Sequence, residues 1–429
     1  MIPFHDELTR TQRLHVLLAA FLAWMFAGFG IALFILIHRQ MMLDLLGSSA
    51  EEKVVARWFA WFQAAFLFGA AAGGWVFGSL GDRIGRTWVM GLSILWQSAF
   101  TLLCYLANSP EFLLVLRFLA CMGIGGVWPN AVALVAEAWP DVSRPFLAGL
   151  LGAAANVGQV LMGVLGLAFD VTPEAWRWTL VAASLPAIFG FWTLLAVPES
   201  VRWQRAKLLR VETKINLRPI REVLTPPLLN RTLLGICLGA IPVIGTAANG
   251  NWLVPWTDQV NQQRVVKGET VSKPDPKSKA RTQIVRSAGG IFGSLLGGIV
   301  AAVIGRRLSY FLISLGAMAT STYIFTQLDP LQPMFPYWAF ILGFISIVYF
   351  GWLPLFLPEM FPTHVRSTGS GVSFNTGRIV SGLVVLSAGV LLEVVGGSYA
   401  RVGFATGLIY GLGMIVIWFA PRKSKGLED

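Results

Sequence analysis

The sequence predicts an all-α membrane protein of twelve transmembrane helices arranged as two six-helix bundles. Three observations carry this: an apolar composition, a succession of apolar runs of bilayer-spanning length, and one long basic interruption near the middle. Of the 429 residues, 55% are hydrophobic and only 13% are charged, and the mean hydropathy is +0.66. A soluble domain is about 25% charged and about 45–50% apolar, so this composition belongs to a chain whose solvent is largely lipid.

Each crossing takes about 20 apolar residues. Runs of that kind cover 14–37, 58–80, 88–107, 112–136, 146–169 and 177–197, and a second set covers 232–256, 287–304, 308–328, 335–357, 368–392 and 402–420. Between the sets, Arg202, Arg205, Lys207, Arg210, Lys214, Arg218, Arg221 and Arg231 stand against Glu212 and Glu222. The expected organisation is therefore a first bundle over 1–200, a cytoplasmic linker over 201–231 and a second bundle over 232–429. The start carries Asp6, Glu7, Arg10 and Arg13, and the apolar run behind it is too long for a signal peptide, so it reads as the first span.

A net charge of +11 could point to nucleic acid. Here the basic residues crowd between apolar runs, as in the cytoplasmic loops of a membrane protein, and no nucleic-acid partner is expected. Placing both termini inside puts Arg83, Arg86, Arg144, the linker, Arg306, Arg307, Arg366, Arg422 and Lys423 in the cytoplasm. One stretch opposes this. Residues 261–286 carry Arg264, Lys267, Lys273, Lys277, Lys279, Arg281 and Arg286, and this topology exports them. They either draw anions toward an outer entrance or simply solvate a flexible loop. Cys104, Cys121 and Cys237 sit singly in apolar stretches, as buried small hydrophobes do. No metal-ligand cluster, phosphate cradle or nucleophile–base arrangement appears, so neither an enzyme nor a cofactor is expected.

Motifs cluster at the cytoplasmic turns. Gly81-Asp82-Arg83-Ile84-Gly85-Arg86-Thr87 joins spans two and three, and Gly305-Arg306-Arg307 stands at the matching place between spans eight and nine. A tight turn between packed helices needs the backbone freedom of Gly81 and Gly85. Arg117-Phe118-Leu119-Ala120-Cys121-Met122-Gly123-Ile124-Gly125-Gly126 marks the fourth span. Leu134-Val135-Ala136-Glu137-Ala138-Trp139-Pro140 ends it, followed by Arg144. Pro198-Glu199-Ser200-Val201-Arg202-Trp203 closes the sixth span, and Pro358-Glu359-Met360-Phe361-Pro362-Thr363-His364-Val365-Arg366 closes the tenth.

In this order and placement the motifs resemble those of the major facilitator superfamily, in its metabolite, aromatic-acid, sialic-acid and sugar porter branches. The resemblance implies two bundles related by a pseudo-twofold axis along the membrane normal, with a small-molecule substrate held between them. It also implies that Asp82, Arg83, Arg86, Glu137, Arg144, Glu199, Arg202, Glu359 and Arg366 form a cytoplasmic gate. These charges would pair between the halves in one state and separate in the other; the competing reading makes them topology signals only.

The departures from the pattern concern the interior. The first-span run Trp24-Met25-Phe26-Ala27-Gly28-Phe29-Gly30 has Ala27 and Gly30 where metabolite porters usually carry aspartates, and Gly125-Gly126-Val127-Trp128 lacks a usual glutamate. No carboxylate stands at mid-depth. The intramembrane charges read from the sequence are Arg117 and Arg378, the latter ten residues into its span, about 15 Å at the helical rise. Such charges usually serve a function. Asn375 shares a face with Arg378, and Asn156 and Gln159 share one on the fifth span. Gly245, Asn249, Gly250, Asn251 and Trp252 break the seventh span, where unwound backbone can meet a substrate.

The expected substrate contacts are thus Arg378, Asn375, Arg117, Asn156, Gln159, Trp128, Asn130, Asn249, Asn251, Trp252, Tyr349 and Trp352. For each a plain alternative stands beside it: Arg117 snorkelling outward or capping carbonyls, the amides bridging helices, the aromatics packing or anchoring at the interface. The functional expectation is a monomeric secondary transporter in a plasma membrane (the inner membrane of a bacterium), moving a small organic anion as a facilitator or exchanger. A neutral-sugar facilitator, a proton-coupled symporter and a non-transporting receptor are the alternatives.

Overall fold

The computed structural model describes residues 8–139, 144–201, 203–205, 219–266, 275, 277–362, 365–395 and 398–421. Local chemistry sets the helix starts. Thr9 and Gln12 form a reciprocal capping box at the first helix, with Gln12 N–H donating to Thr9 Oγ1 at 3.3 Å and Thr9 N–H to Gln12 Oε1 at 2.9 Å. Ser109 caps the fourth helix by accepting from Phe112 N–H at 3.2 Å, just before Pro110 at the first helical position.

Among the described residues, 12 helices are long and apolar enough to cross a membrane. The first half holds α1 (Arg10–Leu46), α2 (Glu52–Gly81), α3 (Arg86–Leu106), α4 (Pro110–Ala138), α5 (Pro145–Ala168) and α6 (Trp178–Ala196). The second holds α7 (Leu229–Asn261), α8 (Ser278–Ile304), α9 (Arg306–Gln327), α10 (Phe335–Glu359), α11 (Thr368–Leu392) and α12 (Tyr399–Phe419). Residues 202 and 206–218 of the predicted linker lie outside the described residues.

The halves repeat one packing scheme. In the first, α1 packs on α5, α2 on α4, and α3 on α4 and α6; in the second, α7 packs on α11, α8 on α10, and α9 on α10 and α12. The halves meet along two separate seams, α5 against α8 and α2 against α11. Apolar side chains gain little by leaving lipid for one another, so close backbone approach carries much of the association. A methyl group on Gly73 or Gly125 would overlap the backbone of the facing helix in the α2–α4 pair, and one on Gly293 or Gly343 would do so in the α8–α10 pair.

The predicted break in α7 is present. The helix runs to Ala247, and Gly250–Trp252 forms a single 3-10 turn before the chain turns helical again at Leu253. Two expectations are corrected. The eighth span begins at Ser278 rather than residue 287, because Lys279 and Arg286 are buried among the helices rather than solvated in a loop, Arg286 bonded to Gln159 and Lys279 near Asp258. Cys237 is exposed on the outer surface of α7, while Cys104 and Cys121 are buried.

Candidate functional site

Among the described residues three arginines are buried within the spans. Arg117 on α4 donates from Nη1 to the carbonyl of Gly30 at 3.1 Å, and its guanidinium stands 4.1 Å from the centre of the Phe34 ring. Both contacts are with α1, so its partners belong to one half. Arg378 on α11 reaches across the α2–α11 seam instead. Its Nη1 donates to the carbonyl of Ala70 on α2 at 3.4 Å and to Asn375 Oδ1 at 3.3 Å, and the guanidinium lies 4.6 Å from the Phe374 ring centre. Those hydrogen bonds are longer than the usual 2.7–3.2 Å or so. Among the described residues no carboxylate pairs with it.

Arg286 on α8 was not anticipated. It is only 6% exposed and reaches across the other seam, donating from Nη2 to Gln159 Oε1 on α5 at 3.1 Å. The same amide oxygen accepts from Gln283 Nε2 at 3.0 Å and Ser287 Oγ at 3.2 Å. The Arg286 Nε has no hydrogen-bond partner among the described residues. Gly250, in the break of α7, faces its Nη1. The sequence did hold a signal: Gln283, Arg286, Ser287, Gly290, Ser294, Gly297 and Gly298 recur at helical spacing, a small and polar stripe continuous with the apolar part of α8.

The remaining expected contacts divide. Asn156 on α5 lies against Gly290 of α8 and donates to its own helix at Gly152, so Asn156 and Gln159 both sit on the α5–α8 seam. Asn375 sits against Gly74 of α2, beside Arg378. Trp128 packs on Trp24 in a tilted arrangement, with ring centres 4.7 Å apart. Asn130 ties α4 to α2 by donating to the Phe77 carbonyl at 3.3 Å, and Asn249 ties α7 to α9 and α12 through Ser321 Oγ at 2.8 Å and the Gly403 carbonyl at 2.6 Å. Asn251 is buried beside it in the 3-10 turn.

Tyr349 and Trp352 do not form an aromatic wall between the halves. Both pack on Tyr310, and Trp352 Nε1 donates to the Arg306 carbonyl and to Ser309 Oγ, each at 3.1 Å, so these rings bind α10 to α9 inside the second half. Indole and phenol groups buried in this way need a polar partner, and α9 supplies both, with Ser314 Oγ 2.6 Å from the Tyr349 hydroxyl.

The turn between the second and third helices of each half is built the same way. Gly85 and Gly305 take the same left-handed conformation, with φ of 123° and 94°, which disfavours any residue with a Cβ. The arginine that follows each one pairs with the glutamate ending the fourth helix of its half: Arg86 with Glu137, and Arg306 with Glu359 at 2.8 Å. Both pairs lie within a half. Glu199 caps the start of α3, accepting from Thr87 N–H at 3.1 Å. Burial pushes its carboxyl above the usual glutamate value, against the lowering effect of the backbone N–H groups. Arg83 is exposed. The side chains of Asp82, Arg144 and Arg366, and Arg202 as a whole, lie outside the described residues.

On the other side of the spans a charge cluster joins the halves. Arg39 on α1 pairs with Glu52 on α2, and its Nε stands 3.5 Å from Asp258 Oδ2 on α7. Lys279 is buried near Asp258, and Trp252 packs on Phe59 of α2 and Tyr399 of α12 at ring-centre distances of 5.2 and 5.3 Å. Nothing in the local sequence marks this closure, because its members come from five helices.

Two homologous six-helix halves, glycine-bearing turns at matching ends, and polar groups concentrated where the halves meet define a polytopic membrane transporter of small metabolites. The chain belongs to the Major Facilitator Superfamily, whose sequence model matches residues 16–261. It is 27% identical over 397 residues to a probable 4-methylmuconolactone transporter of Cupriavidus pinatubonensis, covering 90% of this chain and 87% of the relative. It is 26% identical over 373 residues to a cis,cis-muconate transport protein of Acinetobacter baylyi, covering 84% and 83%. A niacin transporter of the same organism is 25% identical over 374 residues, covering 83% and 82%. Among solved structures, the xylose transporter of E. coli in a partially occluded inward-open conformation superposes with a TM-score of 0.71 at 16% identity, covering 96% of this chain and 99% of that one.

Proposed function

We propose that this protein carries a small organic anion across the membrane by alternating access, as a facilitator or exchanger. The observation that carries this reading is Arg378. A guanidinium stays charged at any physiological pH, and at mid-depth a charge costs at least about 2.5 kcal/mol. Its neighbours on α2 and α11 are a carbonyl, an amide and an aromatic ring, none of which neutralises it. A substrate carboxylate would, through a charge-assisted and bidentate pair that the geometry of lysine does not reproduce. The named cargoes of two relatives, cis,cis-muconate and niacin, are carboxylates at neutral pH.

Both termini are assigned to the cytoplasm by the lysine and arginine bias. The ion pair between Arg39 and Asp258 then lies on the outer side, and this structure represents the state closed to the outside. Among the described residues every carboxylate of a span sits in its first or last turn, which argues against proton coupling through a buried acid. A thermal-shift panel of carboxylates and neutral sugars against wild type, Arg378→Lys and Arg378→Ala tests the reading. Carboxylates should stabilise the wild type, by about 2.7 kcal/mol at 100 times the dissociation constant, and both variants should lose most of the shift. Stabilisation by sugars alone would assign a neutral cargo.

A further inference from the structure

Arg378 is one of two buried arginines that share an unusual situation. Arg286 is also 6% exposed, also reaches from the second half to the first, and among the described residues also meets neutral groups alone. The two stand on different seams: Arg286 at α5–α8 and Arg378 at α2–α11. The other buried cations differ. Arg117 contacts only its own half, and Lys279 lies beside Asp258. A single carboxylate at Arg378 would leave Arg286 buried and uncompensated, with its Nε unpartnered.

We propose that the substrate is a two-ended anion, a dicarboxylate whose second carboxylate is met by Arg286 with Gln283 and Ser287 at the α5–α8 seam. This rests on the anion reading above and adds a second, separate pole to it. Gln159 Oε1 now occupies the donors of all three residues. An incoming carboxylate oxygen has the same acceptor chemistry, with a full charge in place of a dipole, so it can displace the amide without leaving any donor unsatisfied. The exchange would also loosen one contact between the halves when substrate arrives, linking occupancy of the site to their relative movement.

The test compares adipate, its monomethyl ester and hexanoate, three ligands of similar length with two, one and one charges, by calorimetry on the purified full-length protein. Adipate should bind the wild type at least about tenfold tighter than either monoanion, the increment of one charge-assisted pair. Arg286→Gln should bring that ratio close to one, and Arg286→Lys, which keeps the charge, should retain part of it. Equal binding of adipate and its monomethyl ester by the wild type overturns the second pole while leaving the anion reading intact, and it does so without any variant having to fold. A preference that survives in Arg286→Gln overturns the assignment of the pole to this residue. Failure of all three to bind, with sugars binding instead, removes the anion reading and this proposal together.

Discussion

Arg39 of α1 and Asp258 of α7 stand 3.5 Å apart and join the two halves of the molecule at one end of the helices. Both side chains are 13% exposed, so their attraction is screened less than that of a surface pair. Glu52 engages the same guanidinium from α2. If the halves rock, this cluster must open and close once per cycle.

Asp258→Asn should therefore shift the protein away from the closed-outside state. The expected change in the population ratio is about tenfold, or about 1.4 kcal/mol. Double electron–electron resonance between spin labels on the ends of α1 and α7 would show it as growth of the longer distance. An unchanged distance distribution would mean that the pair is incidental to closure.

The paired turns after α2 and α8 give a second prediction. Arg86 with Glu137 and Arg306 with Glu359 occupy equivalent places in the two halves, and each fixes the turn between two helices to the end of a third. Arg86→Ala and Arg306→Ala, like Asp82→Asn in the same turn, should slow exchange several-fold with little change in substrate Kd. Initial rates in proteoliposomes beside binding isotherms would separate the two effects. Full exchange rates in all three variants would remove these residues from the gating machinery.

Glu199 makes a pH-dependent prediction. Burial raises its carboxyl above the usual range in the folded protein, so the native state holds the proton more tightly than the unfolded chain. The sign follows: its contribution to stability improves as pH falls toward the unfolded value and worsens as pH rises through the folded one. Glu199→Gln carries no such cost at any pH. The variant should gain in melting temperature relative to wild type at neutral pH, and the gain should shrink as the pH falls into the carboxylate range. A difference that stays constant with pH would show that the carboxyl is not held in this way.

The fold was legible in the sequence because hydropathy, the central basic linker and the turn motifs are local signals that agree with one another. The site was legible only in part. Arg378 and Asn375 stood out because their span is apolar around them. Arg286 did not, since the charges from Arg264 to Arg281 made the start of α8 look like the end of a loop, and only the helical spacing of Gln283, Arg286 and Ser287 marks it. The closure by Arg39, Asp258 and Trp252 depends on contacts between helices far apart in the chain. The chemistry of Tyr349 and Trp352 points toward a cavity, but Ser314 and the start of α9 satisfy their polar groups. Pairing within the halves, as in Arg86 with Glu137, reflects chain geometry that motif order alone does not reveal.

The most direct test of transport itself is counterflow in proteoliposomes. Vesicles loaded with an unlabelled carboxylate identified by the binding panel, and diluted into a trace of the labelled compound, should show transient accumulation of label. That overshoot should survive an uncoupler, should not appear on imposing a pH gradient without internal substrate, and should fall at least about tenfold in Arg378→Ala at subsaturating substrate, the loss of one charge-assisted pair. An overshoot of equal size in Arg378→Ala, or accumulation that follows the pH gradient and collapses with the uncoupler, would contradict an anion exchanger built around that arginine.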